Sequence, residues 1–483
     1  MKGLSERISA LSPEQRALFE ARLKKKGVDA GRAISRTEAI CKRKQLNFCP
    51  LSHDQERLWA IDRNGPGNTA YNIYTASRLR GPLDAEVMSR AINEIVRRHE
   101  ILRTTFAAVE GRPVMVIASE LEISLPVDDL TPLPESERER EAMRRVNEEA
   151  ARPFDLARGP LVRVGLLRLA EDDHVMHMTM HHTITDRWSA AIVEQELGVL
   201  YDAFMKGKPS PLPEAAIQFA DFAAWQREWL RGEALESQLA YWRSQLAGAP
   251  LVLNLPTDRP RPAAQTFRGA RERILLPANL LAALKAMSQR EGATMFMTAL
   301  AAYNLLLYRC AGQPDILVGL TVSNRERPET VEMPGYLLNM VALRTRLSNE
   351  MSFRALLRQV REAALGAFSH QDLPLGLLID ELKPEPDLSR NPIFQVSYIY
   401  LDFPELSTMS ELGLKVTPVA ADNGSSRFDL TLALTERSNG LETLLEYNTD
   451  LFEAATVKRM LNRLGAILRA VVEEPDRPIS ELP

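Results

Sequence analysis

Apolar residues recur at helical spacing over Ala85–His99, where Val87, Met88, Ala91, Ile92 and Ile95 share one side and predict an amphipathic helix. The segment that follows, ILRTTFAAVEGRPVMVI, alternates on either side of Glu110-Gly111 and predicts a β-hairpin. Leu161–Leu169 and His174–His182 read as strands, and Ser189–Phe204 as a helix. Two proline-rich stretches, KGKPSPLP (206–213) and LPTDRPRPAAQ (255–265), flank a helix around Tyr241-Trp242. The same alternation then restarts, with a strand at Arg273–Leu276, helices at Leu280–Glu291 and Met295–Leu307, and a strand at Asp315–Leu320.

The pattern predicts a mixed α/β (α+β, two-layer) protein of two related lobes. Its length of 483 residues agrees, because a single core rarely grows past about 250–300 residues. The expected boundaries are a helical leader over 1–45, an N-terminal lobe over 46–213, and a C-terminal lobe with its crossover segments over 214–483. In the leader, Leu4, Ile8 and Leu11, then Leu18, Phe19 and Leu23, suggest two amphipathic helices.

Composition narrows the class without naming a function. With 45% hydrophobic and 26% charged residues the chain is that of an ordinary folded protein. No apolar run reaches the roughly 18–20 residues that cross a bilayer, and the N-terminus lacks the apolar core of a secretory signal. A cytoplasmic protein is expected. Cys41, Cys49 and Cys310 cannot all pair and form no CxxC, so neither a disulfide framework nor a thiolate metal site is supported. Residues 1–45 hold 12 Lys/Arg against 5 Asp/Glu, so the net charge of −4 conceals a basic head on an acidic body. The head reads as a docking segment or linker, and no nucleic-acid partner is expected.

Four of the seven histidines, His174, His177, His181 and His182, fall within DHVMHMTMHHTITDRWS. Strand alternation sets His174, Met176, Met178, Met180 and His182 on one face and His177 and His181 on the other. If the strand ends at the His pair, Asp186 returns near it at the start of the next helix. Three readings stand: a buried structural pair, a metal site of His177, His181 and Asp186, and acid–base or hydrogen-bond catalysis. No GxSxG elbow supports a serine nucleophile.

MHHTITDRWS (180–189) resembles the HHxxxDG signature of the condensation domains of non-ribosomal peptide synthetases. Seven more segments are similar to that family's motifs, in its order: LSHDQERLW (51–59), RHEILRTTF (98–106), IQFADFAAW (217–225), VGLTVSNR (318–325), PGYLLNMVALR (334–344), SHQDLPL (369–375) and DLSRNP (387–392). The resemblance runs from about residue 46 to 483. It implies two chloramphenicol-acetyltransferase-like lobes in a V, with an active-site tunnel between them. It also implies an amide-forming acyltransferase: a donor thioester meets an amine carried by an acceptor carrier protein. The donor would arrive on an upstream carrier protein or as fatty acyl-coenzyme A. The substrates would ride on 4′-phosphopantetheine arms or coenzyme A, with no cofactor or metal bound by the domain itself.

Carried over residue by residue, His182 is the expected key catalytic residue, with His181 beside it as a packing or hydrogen-bonding partner. Asp186 is expected in a structural ion pair, for which Arg103, Arg268 and Arg390 are the candidate partners. Asn339, Ser389 and Asn391 are candidates for the tunnel wall, Gln371, Asp372 and Pro374 for a segment bridging the lobes, and Trp59 and Trp225 for core anchors. Arg187 stands where the family has glycine. Either the turn needs no glycine and Arg187 points outward, or its guanidinium enters the tunnel and meets an anion such as a phosphate. The start at Met1 suggests the opening of a polypeptide, and the tail DRPISELP resembles an exit toward an adenylation domain. The alternative from a different class is a catalytically silent, partner-recruiting module. A metal hydrolase is a third reading.

Overall fold

The computed structural model describes residues 39–43, 48–65, 67–401 and 413–483; the expected leader helices lie outside these residues. The first half runs β1 (Phe48–Pro50), α1 (His53–Asn64), β2 (Asn72–Arg80), α2 (Ala85–Arg98), β3 (Thr104–Val109), β4 (Arg112–Ile117), β5 (Val127–Asp129), α3 (Glu135–Ala150), β6 (Val162–Ala170), β7 (Asp173–His181), α4 (Arg187–Met205), α5 (Phe219–Trp229) and α6 (Gly232–Leu246). The second runs β8 (Gly269–Pro277), α7 (Ala278–Arg290), α8 (Met295–Ala311), β9 (Asp315–Val322), α9 (Pro328–Val331), β10 (Asn339–Arg346), α10 (Phe353–Ser369), α11 (Leu375–Leu382), β11 (Val396–Leu401), β12 (Lys415–Pro418), β13 (Leu430–Arg437), β14 (Gly440–Asn448) and α12 (Ala454–Glu473).

Local chemistry sets these elements. Ser52 and Gln55 form a reciprocal capping box at the start of α1, and Asp84 accepts the Glu86 and Val87 amides at the start of α2. The stripe predicted on α2 is the buried one: Met88, Ala91, Ile92 and Ile95 enter the core and Val87 packs at its edge. Glu110 and Gly111 both have positive φ (50° and 79°), as a two-residue turn between twisted strands requires.

The five-stranded sheet of the first half has the order β12-β2-β7-β6-β5, and the six-stranded sheet of the second has β10-β9-β11-β13-β14-β8. A small sheet, β1-β4-β3, carries the hairpin. In the larger sheet β11 runs parallel to both β9 and β13, and β9 is almost wholly apolar and buried, as a strand covered on both faces must be. In β7 the alternation holds: Met176, Met178 and Met180 enter the main core of the first half, whereas Val175 faces a smaller cluster with Ala142 and Val146 of α3.

The two cores do not divide at the proline-rich stretch ending at residue 213. Phe219, Ala220, Phe222 and Ala223 of α5 pack in the first core, while Leu239, Trp242 and Leu246 of α6 pack in the second. The division therefore lies between α5 and α6. The second half also returns to the first: Met333, Leu337 and Leu414 join the first core, and β12 pairs antiparallel with β2 as an edge strand. Among the described residues no helix is long and apolar enough to cross a membrane.

Candidate active site

The site is built on the turn between β7 and α4. The strand ends at His181, whose partner across the sheet is Asn72, and the next amide, that of His182, donates to Tyr71 O at 2.8 Å. The turn is pinned from α1, where Gln55 Nε2 donates to Thr183 O at 2.8 Å, and from within by Ile184, which is fully buried.

His182 is 3% exposed, and its Nδ1 lies 2.7 Å from Thr185 O. A carbonyl only accepts, so Nδ1 carries the hydrogen and Nε2 holds the lone pair. Burial, and then the charges of Arg427 and Arg57, push the imidazole pKa well below its ordinary value. His182 is thus a neutral ring of fixed tautomer whose acceptor nitrogen, Nε2, has no hydrogen-bond partner among the described residues. Tyr336 packs edge-to-face against it, 4.7 Å between centroids at 64°.

His181 points to the other side of the strand. Its Nδ1 accepts from Thr183 N at 3.2 Å and meets Thr183 Oγ1 at 2.8 Å, and its ring stands edge-on to Phe154. Burial lowers its pKa to about 3. This histidine shapes the turn and does not face His182.

Asp186 is the N-cap of α4 and is completely buried. Its Oδ1 accepts from Ser189 N (2.6 Å) and Ser189 Oγ (2.7 Å), and its Oδ2 from Leu337 N (3.3 Å). The arginine that neutralises it is Arg325, whose Nη2 lies 3.1 Å from both carboxylate oxygens. Arg325 Nη1 donates to Thr330 O and Met333 O, so one guanidinium joins the α4 cap to the loop between β9 and β10. Asn324, at φ 56°, turns the chain to deliver it. The expected partners lie elsewhere: Arg103 donates to Ala118 O, Arg268 pairs with Asp450, and Arg390 pairs with Asp387 at 2.7 Å. All three bind a group near them in the sheet or chain, whereas Arg325 reaches Asp186 only because the second half folds over α4.

The remaining expected residues divide. Arg187 is the first residue of α4, helical and exposed, so the turn needs no glycine there. Asn339 is buried and spends its amide on Gln371 O, Leu373 O, Met340 N and Leu375 N; it ties β10 to α11 and has no group left for a substrate. Ser389 joins an Asp387–Arg390 turn. Asn391 Nδ2 donates to Arg427 O at 2.8 Å and so reaches the site through that backbone. Gln371 bonds Glu326, next to Arg325. Trp59 and Trp225 pack at the rim of the first core. Among the described residues no cluster of His, Cys, Asp and Glu is arranged to hold a metal, and no disulfide joins Cys41, Cys49 and Cys310.

Sequence reasoning missed Arg325, Arg57, Tyr336 and Arg427. The first three lie inside motifs already singled out, VGLTVSNR, LSHDQERLW and PGYLLNMVALR. Arg427 lies in none and is brought to His182 only by the fold.

The Condensation domain family model matches residues 45–483. A linear gramicidin synthase polypeptide of Brevibacillus parabrevis is 45% identical over 454 residues, which is 94% of this chain but about 6% of that much longer polypeptide. The X-domain solved in complex with OxyB from teicoplanin biosynthesis is 30% identical with a TM-score of 0.83, over 92% of this chain and 98% of that one. The first condensation domain of the calcium-dependent antibiotic synthetase, in complex with a substrate analogue, shares the fold at a TM-score of 0.78 and 21% identity, over 90% of this chain and 98% of that one. The architecture is therefore the mixed α/β, chloramphenicol-acetyltransferase-like one expected. With the match spanning both halves and the two histidines and the aspartate of the motif in place, this chain belongs to the condensation-domain family.

Proposed function

We propose that this domain forms an amide bond between a thioester-activated acyl, aminoacyl or peptidyl donor and an aminoacyl group on a carrier protein, within a larger peptide synthetase. The observation that carries the reading is the state of His182: buried, neutral, with Nδ1–H committed to Thr185 O and no partner for the Nε2 lone pair among the described residues. Such a nitrogen accepts a hydrogen bond from the acceptor amine and aims the amine lone pair at the thioester carbonyl. The C–N bond forms as the carbonyl π pair moves onto oxygen. The nitrogen then becomes acidic and gives its proton to Nε2. Collapse restores the carbonyl and breaks C–S, and the departing thiolate takes the proton back from Nε2–H.

A base whose proton affinity is lowered by burial is poor in the ground state, so holding the amine comes first and proton transfer follows bond formation. Positioning two tethered reactants supplies up to roughly 7–11 kcal/mol in favourable intramolecular cases. His181, Asp186 and Arg325 hold the turn in shape. Donor and acceptor arrive on 4′-phosphopantetheine arms, the donor on an upstream carrier or as acyl-coenzyme A, and an adenylation domain is the expected neighbour. The exposed Arg187 suits contact with a phosphate of such an arm.

The silent, partner-recruiting reading draws on one observation, the 30% identity to an X-domain solved with OxyB. Intact-mass measurement decides between them. The protein is mixed with glycyl- and leucyl-loaded carrier protein and, as donors, octanoyl-coenzyme A or N-acetyl-leucyl carrier protein. A gain of the acyl mass on the acceptor, lost in His182→Ala, supports the enzyme; no gain with any pair, or undiminished gain in the variant, overturns it.

A further inference from the structure

The condensation chemistry needs a partner for the oxygen that becomes negative, and while the C–N bond forms His182 cannot be that partner, because its one hydrogen is spent on Thr185 O and its Nε2 holds the amine. The neighbourhood of His182 contains another group of the right kind. Tyr336 lies against the imidazole ring and is 5% exposed. It is held there from both sides. Gly335 N donates to Ser189 Oγ at 3.0 Å, Ser189 Oγ lies 2.8 Å from Gly335 O, and Leu337 N donates to Asp186 Oδ2 at 3.3 Å. The Asp186–Ser189 cap of α4 therefore fixes the backbone on either side of Tyr336, just as it fixes the turn that bears His182.

The phenol is also polarised. Arg57, on α1, is half-buried, and its charge acts on the Tyr336 hydroxyl. Its Nε has no hydrogen-bond partner among the described residues. Burial pushes the pKa of the Tyr336 phenol up to about 12, so its O–H stays intact, and the positive charge of Arg57 acts against that rise and draws the O–H toward donation. Arg427 lies near the same two residues, acting on His182 and on Tyr336 and passing over the Tyr71 ring at 5.8 Å. One electrostatic environment thus performs two tasks: the cations that disfavour a protonated His182 also favour negative charge on the substrate oxygen.

We infer that the Tyr336 hydroxyl, placed against His182 by the α4 cap and acted on by the charge of Arg57, donates the hydrogen bond that stabilises the oxyanion of the tetrahedral intermediate, opposite the amine held by His182 Nε2. The inference rests on the amide-forming reading. No proton leaves Tyr336. Its O–H donates to the oxygen while the C–N bond forms, and releases it when the C–S bond breaks and the carbonyl returns. Tyr336 is here a catalytic residue, and Arg57 a positioning residue that acts through it.

The test is single-turnover acyl transfer, with whichever of the donor and acceptor pairs above gives amide with the wild type, in Tyr336→Phe, Arg57→Gln and the double variant. Tyr336→Phe keeps the ring against His182 and removes only the hydroxyl. The expected result is a fall in rate of roughly 10²-fold, in keeping with loss of one oxyanion donor, with the acceptor concentration at half-maximal rate and the melting temperature unchanged. Arg57→Gln is expected to slow the reaction, yet to add little once the hydroxyl is gone. A Tyr336→Phe rate within twofold of wild type overturns the inference while leaving the amide-forming reading intact. A fall that appears only in half-saturation also overturns it, because that assigns Tyr336 to binding. Full multiplication of the two single losses overturns the positioning role of Arg57. No amide with the wild type defeats the underlying reading, and this inference with it.

Discussion

Asp186 and Arg325, 139 residues apart in the chain, meet at 3.1 Å with side-chain exposures of 0% and 2%. The pair joins the cap of α4 to the loop that presents Tyr336, so the geometry around His182 depends on a contact between the two halves.

Breaking this pair from one side leaves a buried charge uncompensated, which typically costs about 3–5 kcal/mol. Arg325→Ala should lower unfolding stability by that order and also remove amide formation. Arg325→Lys should recover little, because a lysine cannot serve the carboxylate, Ser189 Oγ and two carbonyls at once. Urea denaturation together with the mass assay checks both; a fully active, fully stable Arg325→Ala would refute the structural role.

His181 and His182 should separate in their effects. His182→Ala is expected to abolish transfer even in the folded fraction, while losing its buried bond to Thr185 O. His181→Ala loses a buried bond to the turn, worth about 1–3 kcal/mol, and should keep measurable turnover in the folded fraction. Equal turnover losses at equal stability would contradict the assignment.

Acid should weaken the fold through these rings. The pKa of His181 falls to about 3 and that of His53 to about 4, both mainly through burial. The unfolded chain therefore binds more protons than the folded one between those values and about pH 6.5. Their contribution to stability is complete above about pH 6.5 and is lost as pH drops through that window, at up to about 1.4 kcal/mol per pH unit per histidine. Denaturant midpoints measured from pH 7 to pH 4 should show a shallower slope for His181→Gln than for wild type.

Asp54 carries the opposite sign. Burial pushes its pKa up to about 7, against the pull of Arg57. Its contribution is favourable below about pH 4 and is lost as pH rises through about 7. Each tenfold change in proton affinity is worth about 1.4 kcal/mol, so Asp54→Asn should gain roughly 2–4 kcal/mol at pH 8 and nothing near pH 3.5. A gain that does not change between the two pH values would show that Asp54 does not titrate this way.

Arg187→Gly tests the phosphate role of an exposed residue. The concentration of acyl-coenzyme A or loaded carrier needed for half-maximal rate should rise several-fold, with the melting temperature nearly unchanged. Unchanged affinity and turnover would remove Arg187 from the substrate path.

Local periodicity and capping residues determined the elements, since a helix stripe such as Met88, Ala91, Ile92 and Ile95, or the alternation through Met176, Met178 and Met180, is a property of neighbours in the chain. The motif order likewise placed His182 and Asp186 on one strand-to-helix turn, because the five residues between strand and helix leave the chain little freedom. The partner of Asp186 was beyond that reach. Arg103, Arg268, Arg390 and Arg325 are equivalent as residue types, and only the fold of the loop after β9 selects the last. The same holds for the core division between α5 and α6, and for Arg57, Tyr336 and Arg427 around one imidazole. Sequence determined which groups exist and what each local segment does with its backbone; the tertiary structure decided which charges meet, because burial and Coulomb energy depend on distances that separation along the chain does not encode.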